Sequence, residues 1–256
     1  MPNRRIDQGF PGTLRFRPGF FYKERMMKIA LVAGGRSGIG AAIANALATR
    51  LGMRVIAAGL PPPAGDPPGV EAADLDVRDP AGIAKLVGGL DRLDTLVNAA
   101  GIIKRSAEHE PESFAEVVDV NLVGMMRLSV ACRDRLAASG GSVVNIASML
   151  SLFGSGVSPG YSASKGGVVQ LTKSLAIAWA PLGIRVNAVL PGWIRTDLTR
   201  PLRDDPERER TILARTPMGR WGEPADVVGP VLFLAGPDAG FVTGATLTVD
   251  GGYAAM

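Results

Sequence analysis

The sequence predicts an α/β protein with a single doubly wound parallel sheet of about seven strands and helices on both faces. Two observations lead to this fold class. Short apolar segments, typical of buried parallel strands, alternate with helical segments along residues 28–256. Glycine-rich or polar segments follow several of these strands, at the carboxyl ends where such sheets bind ligands. With no internal repeat and no domain linker in the sequence, residues 28–256 are predicted to form one domain.

The first strand is predicted over residues 28–33, and a helix over residues 41–51 follows a glycine-rich turn. A strand, a glycine turn and a helix N-terminus together present backbone N–H groups and the positive helix end to a pyrophosphate. The turn therefore predicts dinucleotide binding. Its candidate residues are Gly34, Arg36, Ser37, Gly38, Ile39 and Gly40.

The second and third strands are predicted over residues 54–59 and 70–77. The end of the second strand usually carries the residue that reads the adenosine ribose, an acid for NAD or a base for NADP, but Leu60 is neither. The proline-rich residues 61–69 cannot form a helix. Asp76, beside Val77, is the predicted partner of the adenine amino group.

The later elements continue the alternation. They are a helix over residues 81–90, a strand and turn over 95–101, a long helix over 111–139, a strand over 142–147, a helix to about residue 180, a strand over 184–190, a helix over 224–234 and a last strand over 245–249. Residues 197–218 are polar and irregular, which predicts a lid.

Tyr161 and Lys165 are four residues apart at the start of a predicted helix, so they share one helix face. A neighbouring ammonium lowers the pKa of a tyrosine from its usual value of about 10, and such a tyrosine can exchange a proton with an alcohol or a carbonyl oxygen. Ser148, at the end of the fifth strand, would hydrogen-bond the same oxygen. An ordinary amphipathic helix can show the same spacing, and the ligand-binding positions of the other motifs favour catalysis.

Six ordered motifs resemble those of the short-chain dehydrogenase/reductase family over about residues 28–256. They are Gly34-x-x-x-Gly38-x-Gly40, Asn98-Ala99-Ala100-Gly101, Asn121, Ser148, Tyr161-x-x-x-Lys165, and Pro191-Gly192 with Thr196. The resemblance implies a Rossmann-type fold and hydride transfer between a nicotinamide cofactor and an alcohol or ketone. The sequence departs from the family pattern in two places. The motif Asn98-Ala99-Ala100-Gly101 has an alanine where the family usually has a second Asn, and a short proline-rich segment occupies residues 61–69.

The same resemblance implies roles for individual residues. Tyr161 would be the general acid/base, Lys165 would hold the nicotinamide ribose and lower the Tyr161 pKa, Ser148 would polarise the substrate carbonyl, and Asn121 would position a proton-relay water. The Thr196 hydroxyl and the Ile194 backbone would orient the carboxamide. The resemblance also implies cofactor-binding residues that follow the fourth and later strands. They are Asn98, Ala99, Gly101, Tyr161, Lys165, Pro191, Gly192, Ile194 and Thr196.

A narrower resemblance is to sugar-acid enzymes, the 2-deoxygluconate and ketodeoxygluconate dehydrogenases and, more loosely, gluconate 5-dehydrogenase. It rests on residues 101–105, 147–151, 219–224 and 249–252. Lys104 and Arg105 would then pair with a substrate carboxylate, although solvated loop charges are an equal interpretation. Arg195 is a weaker candidate for this role. The predicted substrate-binding residues are Lys104, Arg105, Ser148, Leu150 and Tyr161.

Cofactor choice rests on two opposing signals. The sugar-acid resemblance and the absence of a basic residue at positions 59 and 60 favour NAD, whereas Arg36 in the glycine turn would suit the 2′-phosphate of NADP. NAD is the preferred prediction. Two other functions remain: an NADPH-dependent 3-oxoacyl carrier-protein or general carbonyl reductase, and a dinucleotide-binding regulator. The presence of all four catalytic candidates argues against a regulator.

The charge distribution argues against a nucleic-acid partner. The net charge is +4, and residues 1–25, with six basic and two acidic side chains, account for all of it. The sequence has one cysteine, Cys132, and one histidine, His109, which argues against a metal site and fits a cytoplasmic protein. No apolar run reaches the roughly 18 residues of a membrane span.

Residues 1–27 show no periodicity and form an N-terminal extension. A disordered tail, a start codon set too far upstream and an arm that docks on a neighbouring subunit all fit this segment. The family resemblance implies pairing of the long helices between subunits, and therefore a homotetramer or a homodimer.

Overall fold

The computed structural model describes residues 27–62 and 65–256, and in it seven strands form one parallel sheet in the order β3-β2-β1-β4-β5-β6-β7. The strands are β1 (Ile29–Ala33), β2 (Arg54–Gly59), β3 (Glu71–Asp74), β4 (Thr95–Asn98), β5 (Ser142–Ile146), β6 (Arg185–Pro191) and β7 (Thr246–Val249). The prediction of a seven-stranded parallel sheet is confirmed. The predicted N-terminal extension lies outside the described residues, except for Met27.

Helices cover both faces of this sheet. They are α1 (Gly38–Leu51), α2 (Pro80–Gly88), α3 (Pro111–Val118), α4 (Gly124–Ser139), α5 (Pro159–Trp179), α6 (Arg200–Arg203), α7 (Pro206–Ala214) and α8 (Pro224–Ala235). Strand β1 shows how the faces separate, because successive strand side chains point to opposite sides. Leu31 packs in the core that α2, α4 and α5 cover, and Val32 packs in the core that α1 and α8 cover.

The third strand is shorter than predicted, ending at Asp74 rather than at residue 77. It lies at the edge of the sheet and pairs only with β2. After Asp74 the chain turns, and Asp79 N donates to the carbonyl of Asp76 over 3.0 Å. Asp76 therefore lies in a turn beyond the strand. Residues 61, 62 and 65–69 form no helix, in agreement with the prediction.

The helix predicted over residues 111–139 is interrupted. A π-helical turn, Asp119–Val123, separates α3 from α4, and Asn121 lies within it. A π turn inserts one extra residue into an α-helix and is frequent at functional sites. Because a single added residue barely alters the apolar pattern, the interruption could not be predicted from the sequence.

The prediction of an irregular segment over residues 197–218 is wrong, because α6 and α7 lie in it. The side chain of Asp205 caps α7 by accepting the backbone N–H groups of Glu207 and Arg208. Leu202 and Ile212 are buried against Trp221, which lies outside the segment. The segment therefore contains too few apolar residues to show a helical period of its own.

Among the described residues, no helix combines the length and apolar character that a membrane crossing requires. In the same part of the chain, no group of His, Cys, Asp and Glu side chains is arranged to hold a metal ion.

Candidate active site

A cavity of about 660 Å³ opens beyond the carboxyl ends of the central strands. Ser148 and Tyr161 line it, together with Arg105, Trp193 and Arg208. Ser148 follows β5, Trp193 follows β6 and Arg105 follows β4 in the chain. The topology thus brings side chains that are far apart in the sequence to one edge of the sheet, as the parallel arrangement predicts.

Tyr161 lies in the first turn of α5, where its backbone N–H donates to Glu108 Oε2 over 2.7 Å. Burial raises the pKa of the phenol, while a hydrogen bond with Ser148 and the positive charge of Arg105 act in the opposite direction. The pKa of Tyr161 is thus raised overall, whereas the sequence predicts a lowered one, and the effect of Lys165 on it stays a prediction. The Lys165 ammonium is 5.6 Å from the centre of the Tyr161 ring and donates to a backbone carbonyl instead.

Lys165 is 4% exposed and lies one helical turn beyond Tyr161. Its Nζ donates to the carbonyl oxygen of Ile146, the last residue of β5, over 2.8 Å. Burial lowers the pKa of the amine to about 8. The site therefore contains a desolvated lysine that titrates near working pH.

Ser148 and Asn121 use their side chains differently. The Ser148 oxygen accepts the N–H of Leu150 over 3.1 Å, so its own O–H remains to donate towards the phenol or a substrate oxygen. The Asn121 amide accepts from Ile102 N and donates to Ile102 O and Ser164 Oγ. Asn121 thereby ties the segment after β4 to α5, and its role with a water molecule stays a prediction.

The glycine turn is packed so closely that side chains are excluded. A Cβ on Gly34 would lie 2.6 Å from Ala100 N, and a Cβ on Gly40 would lie 2.0 Å from the carbonyl oxygen of Gly34. Ser37 precedes the first residue of α1 in an extended conformation. Bare backbone at a helix N-terminus suits a pyrophosphate, so these residues fit the dinucleotide that the sequence predicts.

At the adenosine end, Arg36 is held by two carboxylates that no sequence motif indicates. Its Nε lies 2.5 Å from Asp66 Oδ1, it also pairs with Asp74, and it donates to the carbonyl of Gly59 over 3.2 Å. The Arg36 charge is therefore neutralised within the protein. Leu60, next to this group, is 67% exposed.

Asp76, the predicted partner of adenine, and Val77, a further predicted cofactor-binding residue, have side chains that are engaged elsewhere. Asp76 forms an ion pair of 2.7 Å with Arg78, which holds the pKa of the Asp76 carboxyl below its usual value. The Val77 side chain is buried in the core against Gly124, where an added Cβ would lie 2.7 Å from Val77 Cγ2. The structure therefore does not bring these side chains to a common subsite.

At the nicotinamide end, Thr196 lies beside the glycine turn, since a Cβ on Gly38 would lie 3.4 Å from Thr196 Cγ2. The Ile194 carbonyl accepts from Thr199 Oγ1 over 2.7 Å. Gly192 follows Pro191, the last residue of β6, and donates its N–H to Val249 over 2.9 Å. These backbone contacts fix the segment in which the carboxamide contacts are predicted.

Asn98 does not face the cavity. Its Nδ2 donates to Asn145 Oδ1 over 2.9 Å and to Ser129 Oγ over 3.0 Å, so its buried amide links β4, β5 and α4. The adjacent Ala99 donates its N–H to the carbonyl of Ala33. Gly101 lies near the catalytic candidates, because a Cβ there would be 3.5 Å from Lys165 Nζ.

The substrate candidates separate into two groups. Arg105, Leu150, Ser148 and Tyr161 line the cavity, and Arg105 donates to the carbonyl of Leu198 over 3.1 Å. Lys104 instead pairs with Glu116 on α3, and Arg195 pairs with Glu223. The structure thus assigns Lys104 to a surface ion pair, which corrects its prediction as a substrate residue.

Arg208, which no sequence motif indicates, reaches the cavity from α7. The Arg208 charge and burial together lower the pKa of Arg105, with burial the larger cause. Without a prediction of α7, nothing in the sequence placed residue 208 near residue 105.

Comparison with known proteins agrees with this geometry. The family described as enoyl-(acyl carrier protein) reductase matches residues 33–254. The 2-dehydro-3-deoxy-D-gluconate 5-dehydrogenase of Pseudoalteromonas atlantica is 40% identical over 88% of this chain and 95% of its own length. The 3-oxoacyl-(acyl-carrier-protein) reductase FabG of Escherichia coli is 37% identical over 88% of this chain and 96% of its own length.

A solved structure is also similar to this chain. It is a gluconate 5-dehydrogenase from Burkholderia cenocepacia in complex with NADP and tartrate, with a TM-score of 0.83 and 31% identity over 90% of this chain and 96% of that one.

Proposed function

The chain belongs to the short-chain dehydrogenase/reductase family, and from this we propose that it transfers a hydride between a nicotinamide dinucleotide and a secondary alcohol or ketone of a sugar acid or related polyol. The observation that carries the proposal is that Arg105 and Tyr161 line the same cavity. A guanidinium is suited to a substrate carboxylate, and a phenol is suited to the proton of the reacting oxygen.

We assign the proton chemistry to three side chains. Tyr161 gives its proton to a carbonyl oxygen, or takes one from a hydroxyl, while Ser148 donates a hydrogen bond to the same oxygen. Lys165 holds a ribose hydroxyl and contributes a proton reserve near working pH, since its pKa is about 8. Asn121 supports this arrangement by holding Ile102 and Ser164.

The dinucleotide, when bound, supplies the hydride acceptor or donor. We propose that the glycine turn and the α1 N-terminus hold its pyrophosphate and that Thr196 and the Ile194 backbone hold its carboxamide. Gly34 and Gly40 support this proposal, because neither position leaves room for a side chain.

For the adenosine end we propose a preference for NAD. Asp66 and Asp74 engage Arg36, so a 2′-phosphate would have to compete with two carboxylates for one guanidinium. The structure of the Burkholderia relative contains NADP. A direct comparison of NAD and NADP with this protein is therefore the sharpest test of the proposed NAD preference.

The relatives support a carboxylate substrate. The Pseudoalteromonas enzyme is named for a sugar acid, and the Burkholderia structure contains tartrate, a hydroxy acid. Arg208, which lines the cavity from α7, would act with Arg105 in binding such an anion.

The test is an assay of the purified protein with NAD and NADP separately, against sugar acids, the matching neutral polyols and a 3-oxoacyl thioester. Oxidation of sugar acids in preference to polyols is expected. Faster reduction of the thioester with NADPH would favour the carrier-protein reductase, and cofactor binding without turnover of any substrate would favour a regulator.

We further propose a cytoplasmic homotetramer or homodimer. Apolar side chains of α4 and α5 support an assembly, because Met126, Val130 and Ile177 are exposed on helices whose other faces are buried. Light scattering at working concentration measures the mass of the assembly. The mass of a single chain would contradict the proposal.

A further inference from the structure

We propose that Glu108 is a positioning residue that holds the proton-transfer residue Tyr161 and the substrate-binding residue Arg105 in a fixed relative placement. Glu108 is 1% exposed and lies in a short 3₁₀ turn after β4. One carboxylate oxygen accepts the backbone N–H of Tyr161 over 2.7 Å. The other accepts the backbone N–H of Lys104, the neighbour of Arg105, also over 2.7 Å.

These two hydrogen bonds join different parts of the site. Tyr161 belongs to the first turn of α5, and Lys104 belongs to the segment that carries Arg105 to the cavity. A carboxylate suits both bonds because it has two accepting oxygens and no proton. An amide side chain has only one accepting oxygen and would present an N–H group to the second backbone N–H.

The backbone between Arg105 and Glu108 is strained, which supports a held geometry. Ser106 has a φ of 64° and is the one residue other than glycine with a positive φ in the described part of the chain. Such conformations persist where surrounding contacts impose them and are frequent at functional sites. Two hydrogen bonds impose the Ser106 conformation here. The Glu108 carboxylate accepts the N–H of Lys104, and the Ser106 N–H donates to the carbonyl of Val157 over 2.6 Å.

On the α5 side of the contact, the backbone at Gly160 lies close to the Glu108 carboxylate. A Cβ on Gly160 would lie 3.3 Å from Glu108 Oε2 and 3.2 Å from the Phe114 ring. Contacts at this distance are tight, so a larger residue at position 160 would press on the carboxylate. The residue just before Tyr161 is thus small where the Glu108 side chain needs room.

The Glu108 charge also acts on both ends of the contact. It raises the pKa of the Tyr161 phenol and favours the charged form of Arg105. Other charged or titratable groups lie around this contact. They are Arg105 and Arg208 on the cavity side, Lys165 on α5, His109 and Glu110 next to Glu108 in the chain, and Glu116 on α3, which is paired with Lys104.

Asp94 provides a matched comparison. It is also buried, and it accepts the backbone N–H of Ile29 over 2.9 Å, but it precedes β4 at the opposite end of the strands. Asp94 differs from Glu108 in its distance from the cavity and in its ion pair of 2.7 Å with Arg92. A role in stability alone would give similar results for both.

The experiment compares Glu108→Gln, Glu108→Asp and Asp94→Asn with the wild type. It measures the thermal midpoint, the dinucleotide affinity, kcat and KM for the sugar acid. It also measures the ultraviolet titration of Tyr161, which is obtained by subtracting the titration of a Tyr161→Phe variant. Glu108→Gln is expected to lower kcat roughly 10- to 100-fold and to raise KM, because displaced catalytic groups lose rate steeply. Its Tyr161 titration should move to lower pH, because a negative charge is removed.

Glu108→Asp keeps the charge, so it should leave the titration in place while still lowering kcat. Asp94→Asn should lower the thermal midpoint without changing kcat, KM or the titration. The proposal is overturned if Glu108→Gln behaves like Asp94→Asn, or if its Tyr161 titration does not move. If Glu108→Gln does not fold, Glu108→Asp decides: an unchanged kcat and KM would also overturn it.

The inference rests on the proposed function for Tyr161 and Arg105, and the readouts separate the two. A wild type that binds a dinucleotide but turns over no sugar acid would contradict the proposed substrate. The Tyr161 titrations of the wild type and of Glu108→Gln require no substrate, and an unmoved titration in Glu108→Gln would still overturn the role of Glu108.

Discussion

Lys165 Nζ donates a 2.8 Å hydrogen bond to the backbone carbonyl of Ile146, which joins helix α5 to the end of strand β5. The amine is buried, and its pKa falls from the ordinary 10.5 to about 8. Between pH 8 and 10.5 the unfolded chain therefore carries a proton on this lysine that the folded chain has lost. Unfolding takes up that proton, so this group makes the protein more stable as the pH rises through the window.

The variant Lys165→Met should lack this contribution of Lys165 to the pH dependence of stability. Relative to the variant, the wild type is expected to gain on the order of 3 kcal/mol in free energy of unfolding between pH 8 and 10.5, because each pKa unit corresponds to about 1.4 kcal/mol. Urea denaturation at a series of pH values measures the difference. A difference that does not change with pH would show that the Lys165 pKa is not lowered.

Tyr161→Phe is expected to lower kcat by a factor of roughly 10² to 10⁴, the usual contribution of a general acid or base. Dinucleotide affinity, measured by fluorescence titration, should change little. Tyr253→Phe is the matched control, because Tyr253 is a buried tyrosine that packs edge-on against Trp193. Parallel loss of turnover and of cofactor binding in Tyr161→Phe would contradict the assigned role.

Asp66→Asn combined with Asp74→Asn should release Arg36 and strengthen NADPH binding relative to NADH by roughly tenfold, which corresponds to about 1.4 kcal/mol. Separate fluorescence titrations with the two cofactors measure the ratio. Glu71→Gln is the control, since Glu71 is at the other end of β3 and pairs with Arg54. An unchanged ratio in the double variant would remove Arg36 from cofactor choice.

Arg105→Met is expected to raise KM for a sugar acid by roughly 10- to 100-fold, because hydrogen bonds to charged groups contribute about 1.5–3 kcal/mol. KM for a neutral polyol should stay the same. Lys104→Met changes the neighbouring charge, which is paired with Glu116, and should affect neither value strongly. Equal effects of Arg105→Met on both substrates would argue against carboxylate binding.

The sheet was predictable from the sequence because its central strands are short, largely apolar segments that alternate with helical ones. Ile29–Ala33 and Ser142–Ile146 are buried along their whole length. Ser148, Tyr161 and Arg105 were predictable because they follow such strands or share a helix face. These signals are local, so a single sequence contains them.

The parts that could not be predicted depend on long-range contacts. Arg36 meets Asp66 and Asp74 across 30 and 38 residues, through the pairing of β2 with β3. The direction of the Tyr161 pKa shift depends on how deeply the phenol is buried, whereas the spacing to Lys165 indicated only a neighbouring charge. In the same way, α7 is stabilised by Trp221, which lies outside the predicted lid.

The separate apolar cluster of Leu202, Ile212 and Trp221 has a consequence for how the protein can diversify. Helices α6 and α7 rest on this cluster, and the two large cores lie against the sheet. Substitutions on the cavity side of α7 can therefore accumulate while the hydride-transfer machinery is inherited unchanged. A descendant of this chain would acquire a new substrate most readily through changes in α6 and α7, with Tyr161 and Lys165 left in place.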